Sequence, residues 1–182
     1  MTDRINWGVL GNATIARKCV IPAIQKSRNG QVHALATRSP DNAQDVVSQN
    51  QIARVYDNYQ AVLTDTEIDA VYIPLPNDMH HPWTIKALSA GKHVLCEKPL
   101  ACNAKEATEM AAAAEASGRL LMEAFMYRHH PQWQRARQIV RDGGIGQLRT
   151  IQSFFCKREK SEVAKGRALS AERIAHGAER KA

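Results

Sequence analysis

No run of about 18 apolar residues occurs in the sequence, so it holds no segment long enough for a membrane-spanning helix. Residues 1–7 lack the long apolar stretch of a secretory signal, and cytoplasm is the default expectation. Cys19, Cys96, Cys102 and Cys156 form no CxxC pair and no zinc-type spacing. Two of them lie in apolar, strand-like runs, where a free thiol behaves as a small hydrophobe. Disulfides are rare in cytosol, so a structural role is expected for all four. From residue 5 to residue 124 there is no internal repeat and no low-complexity segment.

What is present is ordinary for a globular chain: 44% apolar, 24% charged, and 182 residues, enough for one domain or a little more. The net charge of +7 suggests nucleic acid until it is located. Lys157–Ala182 carries eight Lys/Arg and four Glu, a net +4, leaving only +3 on the other 156 residues. The basicity belongs largely to a tail without interleaved aromatics, so nucleic-acid binding is a distant alternative and no such partner is expected.

Apolar runs and helical periods alternate along the chain. Ile5–Leu10, Val32–Thr37, Arg54–Tyr56, Ala70–Pro74, Val94–Glu97 and Arg119–Ala124 read as strands. Helices are expected after the Gly11–Ala16 turn through Ser27, from a Ser39 or Asp41 cap through Val47, over Tyr59–Leu63, over Trp83–Ala90, and from Asn103 to Gly118. Pro22 would kink the first of these or delimit its first turns. Asn103 and Glu106 make a capping-box-like pair, and Ala107, Met110, Ala111 and Ala114 repeat at helical spacing. This alternation predicts an α/β fold, a doubly wound parallel sheet with helices on both faces.

Two points along that pattern carry chemistry. Gly11-Asn12-Ala13-Thr14-Ile15-Ala16 reads G-x-A-x-x-A, a relaxed dinucleotide fingerprint. Gly11 permits a tight turn, Ala13 lets backbone approach a pyrophosphate, and Ala16 allows close helix–strand packing. A helix N-terminus there offers N–H donors and partial positive charge to phosphates. Taken alone, three small residues in a turn are more often just a turn. The second strand ends 21 residues beyond Ala16, close to the interval of about 20 at which an acid holds a ribose 2′-hydroxyl. No acid stands there. Thr37-Arg38-Ser39 sets a guanidinium between two hydroxyls, suited to a 2′-phosphate, so NADP is expected ahead of NAD. The bland alternative is a solvated arginine before a helix cap.

The second point is Glu97-Lys98-Pro99, where an apolar strand breaks into a charged pair stopped by proline. An open α/β sheet places ligand chemistry at the carboxyl ends of its strands. Pro99 restricts Lys98 toward extended geometry, holding the lysine at the strand tip. On its own, the commoner reading of this tripeptide is a solvated ion pair before a turn.

Taken together, the pieces resemble the glucose–fructose oxidoreductase / inositol dehydrogenase family over roughly residues 4–155. The signs are W-G-V-L-G-N-A-T-I-A at the start, Pro74-Leu75-Pro76-Asn77-Asp78-Met79-His80, the run from Ala90 to Pro99, and Glu123-Ala124-Phe125-Met126-Tyr127-Arg128-His129-His130-Pro131. The resemblance implies a Rossmann-type cofactor domain over residues 1–124 that binds NADP, with NAD possible. It implies that Gly11, Asn12, Ala13, Thr14 and Ile15 meet the cofactor's phosphates, and Thr37, Arg38 and Ser39 its adenosine end. Leu75, Pro76, Asn77 and His80 would line the nicotinamide side, Glu97 would contact the nicotinamide ribose, and Tyr127 and Arg128 would close that end. Lys98 would be the catalytic lysine: an ammonium beside a developing alkoxide stabilises transition-state charge, and burial lowers its pKa toward proton transfer. His80-His81-Pro82 and His129-His130-Pro131 suggest metal, but adjacent histidines diverge and no acidic ligand is evident, so none is expected.

Family members carry a second α/β domain. Here 125–156 reads as its incomplete start, with a helix over Pro131–Asp142 and one strand over Gln147–Cys156. Such a strand without neighbours would leave an edge through which the chain self-associates. Residues 157–182 change character abruptly and read as a disordered tail or a solvated helix, as an unrelated reading frame would give. The leading expectation is an NADP-preferring oxidoreductase of a sugar, polyol or diol, impaired by a missing substrate domain. The alternative is a non-catalytic dinucleotide-binding protein or sensor.

Overall fold

Strand β1 (Ile5–Leu10) leads into a chain that alternates strictly between strand and helix through residue 123 in the computed structural model, which describes residues 4–154. Among the described residues β1 is joined by β2 (Gly30–Ala36), β3 (Arg54–Tyr56), β4 (Ala70–Ile73), β5 (His93–Cys96) and β6 (Leu121–Glu123). Every pairing is parallel, and the order is β3-β2-β1-β4-β5-β6. This is the doubly wound, Rossmann-type sheet expected from the apolar runs.

The connecting helices are α1 (Ile21–Gln25), entered through a π-helical turn at Ala16–Val20, α2 (Gln44–Asn50), α3 (Tyr59–Thr64), α4 (Asn77–Ser89) and α5 (Ala104–Ser117). Pro22, expected to kink or delimit the first helix, stands just after the π-helical turn, where the helical bonding changes from π to α. Strand period two sorts the core onto the two faces of the sheet. Leu10, Ala36, Val71, Ile73, Val94 and Cys96 pack with Val62 and Leu63 of α3, Leu88 of α4 and Met110 of α5. Val9, Leu35 and Tyr72 pack on the other side with Ile21 and Ile24 of α1 and Val46 of α2. Every residue of β4 is buried, which is why Ala-Val-Tyr-Ile reads as a continuous apolar run.

The ends of α5 follow from its sequence. Asn103 Oδ1 accepts from the Glu106 N–H at 3.0 Å, Glu106 Oε2 accepts from the Cys102 N–H at 3.0 Å, and Gly118 closes the helix at φ +64°. Elsewhere the boundaries differ from expectation. Helix α4 begins at Asn77, six residues before Trp83, because buried His80 draws its first turns onto the sheet and Pro82 forfeits only one backbone bond. Neither Ser39 nor Asp41 caps α2 by a side chain: a tight turn at Pro40–Ala43 intervenes, and α2 starts after Ala43.

The chain divides into two units between His130 and Pro131. In the second, α6 (Pro131–Arg141) is the helix expected there, ended by Gly143 at φ +73°. The strand expected over Gln147–Cys156 is absent from its described part, residues 147–154. Ile151 and Phe154 are largely exposed there, and without a ladder partner an extended segment gains nothing over coil. The proposed self-associating edge loses its strand; residues 155 and 156, and the tail over 157–182, lie outside the described residues.

Edge strand β3 is tied to α3 by one carboxylate. Asp65, just beyond α3, accepts from Tyr56 Oη at 2.9 Å, from Arg54 Nη1 at 2.8 and 2.9 Å, and from the Glu67 N–H at 3.0 Å. Burial opposes the charge, but the bonds from Arg54, the Glu67 N–H and Tyr56 outweigh it and hold the carboxyl below its usual range. A depressed folded pKa means stability present above the unfolded value of about 3.9 and lost as pH falls through the folded one. Asp65→Asn is therefore expected to lower stability at pH 7 by about 1–2 kcal/mol, with the gap to the parent narrowing below about pH 4. Thermal melts from pH 7 to pH 3 check this; parallel curves over the whole range contradict it.

Candidate functional site

Strands β1 and β4 are neighbours, yet β1 leads to β2 on one side and β4 leads to β5 on the other. That reversal leaves a crevice above the carboxyl ends, the position at which open α/β sheets bind ligands. The segments following β1, β2, β4, β5 and β6 open onto this one edge. Topology thus collects residues 11–15, 37–39, 75–80, 97–98 and 127–128 from distant places in the chain.

The turn after β1 is built for close approach. Gly11 sits at φ +108°, its N–H donates to the Ala36 carbonyl at 2.7 Å, and a Cβ there would stand 3.1 Å from Leu75 Cδ2. The helix that follows runs from Thr14, with the Arg17 N–H donating to the Ala13 carbonyl at 3.1 Å. The N–H groups of its first turn have no intrahelical acceptor and face the crevice end. Asn12 Nδ2 donates to the Asn42 carbonyl at 2.9 Å, while Asn12 Oδ1 is buried without a protein partner. A buried acceptor with no donor is a place for a ligand hydroxyl or water. Ala13 and Ile15 are half-buried, and Thr14 is exposed.

At the tip of β2, Thr37 is buried and turned inward. Its N–H donates to the Tyr56 carbonyl at 2.9 Å, and its Oγ1 accepts from the Ser39 N–H at 3.3 Å. Thr37 thus shapes the turn, while Arg38 and Ser39 are exposed upon it.

The tip of β5 carries a carboxylate held from below. Tyr72 Oη, at the centre of β4, donates to Glu97 Oε1 at 2.7 Å, and the Glu97 N–H donates to the Ile73 carbonyl at 3.1 Å. Burial first, and then the bond to Glu97, push the Tyr72 phenol far above its ordinary range, so it is a permanent donor to Glu97. Glu97 Oε2 accepts from the Lys98 N–H at 3.3 Å. The turn continues through a cis Lys98–Pro99 peptide to Leu100, whose N–H donates to Glu123 Oε1 at 2.8 Å. Lys98 itself is exposed: the burial expected around it is not present within this turn. Tyr72 and Glu123 were missed in the sequence. Tyr72 is indistinguishable there from any aromatic in a buried strand, though period two from Val71 does turn it to the opposite face.

After β4, Leu75 is buried and Pro76 and Asn77 are exposed. His80 does not line the crevice as expected. It is fully buried, with Nε2 2.8 Å from the Leu75 carbonyl and Nδ1 2.8 Å from the Pro99 carbonyl, so the ring is enclosed by protein on both sides. Tyr127 and Arg128 lie on a 3-10 turn after β6, the Tyr127 ring 5.4 Å from that of Phe125. Of the paired histidines, His81 points away from His80 to Glu109 at 2.9 Å, and among the described residues no three His, Cys, Asp or Glu converge as metal ligands. Buried Cys96, its thiol pushed up to about 12 chiefly by burial, is inert filling; Cys19 and Cys102 are exposed. Among the described residues no helix is long and apolar enough to cross a membrane.

A glycine turn at positive φ, an orphaned acceptor and an exposed cation on the next strand fit a dinucleotide laid across the crevice. The comparisons agree. A family model described as an oxidoreductase family with an NAD-binding Rossmann fold matches residues 5–125. An uncharacterized oxidoreductase of Rhizobium meliloti is 44% identical over 84% of this chain and 46% of its own length. D-xylose 1-dehydrogenase (NADP(+)) 2 of Haloferax volcanii is 43% identical over 84% of this chain and 46% of its own. Among solved structures, KijD10, a 3-ketoreductase from Actinomadura kijaniata in complex with NADP, superposes with a TM-score of 0.73 at 39% identity, covering 80% of this chain and 46% of that one. The chain spans about half the length of the curated relatives it matches. With the fold, the glycine turn and the family match in agreement, the chain belongs to the glucose–fructose oxidoreductase / inositol dehydrogenase family of oxidoreductases with an NAD-binding Rossmann fold.

Proposed function

We propose that this chain binds NADP(H) in preference to NAD(H) across the carboxyl ends of β1, β2, β4 and β5, and that Lys98 assists hydride transfer between the cofactor and a sugar, polyol or related diol. The observation that carries the reading is Lys98 exposed at the tip of β5, beside the β1–β4 reversal and next to a carboxylate that Tyr72 holds in place. The named activities of the relatives support the substrate class: one oxidises D-xylose with NADP and another is a 3-ketoreductase bound to NADP.

The cofactor, when bound, supplies or accepts the hydride. The chain's residues do the rest. Gly11 lets backbone come close, and the first-turn N–H groups of residues 13–15 take the pyrophosphate charge. Arg38, with Ser39 beside it, meets a 2′-phosphate; a guanidinium pairs bidentately with phosphate where a carboxylate would repel it. Glu97, already accepting from Tyr72, keeps lone pairs for a ribose hydroxyl. Pro76, Asn77, Tyr127 and Arg128 border the nicotinamide end. During reduction the Lys98 ammonium donates its proton to the substrate carbonyl oxygen as the hydride reaches carbon; during oxidation the neutral amine takes the hydroxyl proton.

Two substitutions separate binding from chemistry. Arg38→Ala is expected to weaken NADP(H) selectively by about 1.5–3 kcal/mol, the loss of a charge-assisted bond, leaving NAD(H) almost unchanged. Fluorescence titrations with both cofactors check it, and equal loss for both contradicts the 2′-phosphate assignment. Lys98→Met is expected to abolish turnover with cofactor affinity nearly intact, because the lysine acts where oxyanion charge develops. An NADP-linked screen of D-xylose and other sugars and polyols reads the rate; a variant keeping most of the parent activity makes the lysine a bystander.

A further inference from the structure

We infer that His80 is a positioning residue that braces the Lys98 turn against the turn after β4, so that one buried ring sets the spacing of the two loops flanking the crevice. The inference rests on the assignment of Lys98 and the glycine turn above.

His80 lies in the second turn of α4 and is fully buried. Its two ring nitrogens reach backbone carbonyls from different strand ends: Leu75 follows β4 and Pro99 follows β5, each 2.8 Å from its nitrogen. Leu75 is also the residue whose side chain fills the space beside Gly11. Pro99 is next to Lys98 in sequence. One side chain therefore connects the phosphate turn, through Leu75, with the lysine, through Pro99. Neither carbonyl belongs to a strand ladder, and the ring nitrogens lie at hydrogen-bond distance from both. A neutral ring carries one N–H and donates to one of the two; an imidazolium donates to both. Apolar packing alone gives no reason for a histidine here, since its neighbours on that face, Leu75, Thr84, Ala87 and Leu88, are small or aliphatic.

His80 thus acts through Lys98 and not on the substrate, which it does not face.

Two substitutions divide the ring's bonds. Gln at position 80 places an amide near the Nε2 position and keeps the donor to Leu75 alone; Asn places it near Nδ1 and keeps the donor to Pro99 alone. Hydrogen exchange on the full chain without cofactor, followed at the Glu97 and Leu100 amides with α5 as the reference, reads the Lys98 turn. Both amides are bonded there, to Ile73 and to Glu123. His80→Gln is expected to speed their exchange by about tenfold relative to α5, the worth of one hydrogen bond, and His80→Asn to hold them within about threefold of the parent. His80→Gln leaving them unchanged, or raising them in step with α5, overturns the inference, as does an His80→Asn variant that exchanges as fast as His80→Gln. NADPH titration of the parent is a separate arm: failure to bind overturns the cofactor assignment and leaves the exchange result to decide the brace.

Discussion

A side chain at position 11 would be strained. The backbone there stands at φ +108°, its N–H is spent on Ala36, and the place a Cβ would take is 3.1 Å from Leu75. Everything above the sheet depends on that approach between the ends of β1 and β4. The two strands are adjacent, and the chain winds outward from them in opposite directions, to β2 and β3 on one side and to β5 and β6 on the other. The crevice is therefore a consequence of connectivity, and Gly11 lets the backbone at the end of β1 pass close to Leu75.

The second consequence is electrostatic. The carboxyl ends of β2 and β5 carry a cation and a cation–carboxylate pair, yet Arg38 is exposed and engaged in no ion pair within the described residues, whereas Glu97 is gripped by Tyr72 at 2.7 Å. A solvated cation can turn toward an incoming phosphate at small cost, while a carboxylate held by a buried phenol keeps one orientation. The same division separates Lys98, exposed on its turn, from the Leu100 N–H and Pro99 carbonyl that anchor that turn to Glu123 and His80.

Much of this was legible in the sequence. The bounds of β1 follow from its apolar run, and the capped, glycine-ended α5 from Asn103, Glu106 and Gly118, because local chemistry and tertiary packing agree there. The glycine turn and the Lys98 turn were readable as strand tips. What escaped depended on contacts across the chain. The early start of α4 rests on His80, whose partners are nineteen residues later and five earlier. Tyr72 is an ordinary apolar-run residue until Glu97, twenty-five positions away, arrives above it. The strand expected over Gln147–Cys156 failed in its described part for the opposite reason: apolar residues such as Ile151 and Phe154 favour a strand only where a neighbouring strand exists to receive them.

The central claim is that the carboxyl edge of the sheet around the β1–β4 reversal binds the dinucleotide. Amide chemical shifts followed during NADPH titration of the full chain test it most directly. The account predicts the largest changes at Gly11, Asn12, Ala13, Thr14, Arg38, Ser39, Asn77 and Glu97, on one side of the molecule and from four separate stretches of chain. Changes confined to the opposite edge, at Gly30, Asp69 and Lys92, or none at saturating NADPH, would contradict it.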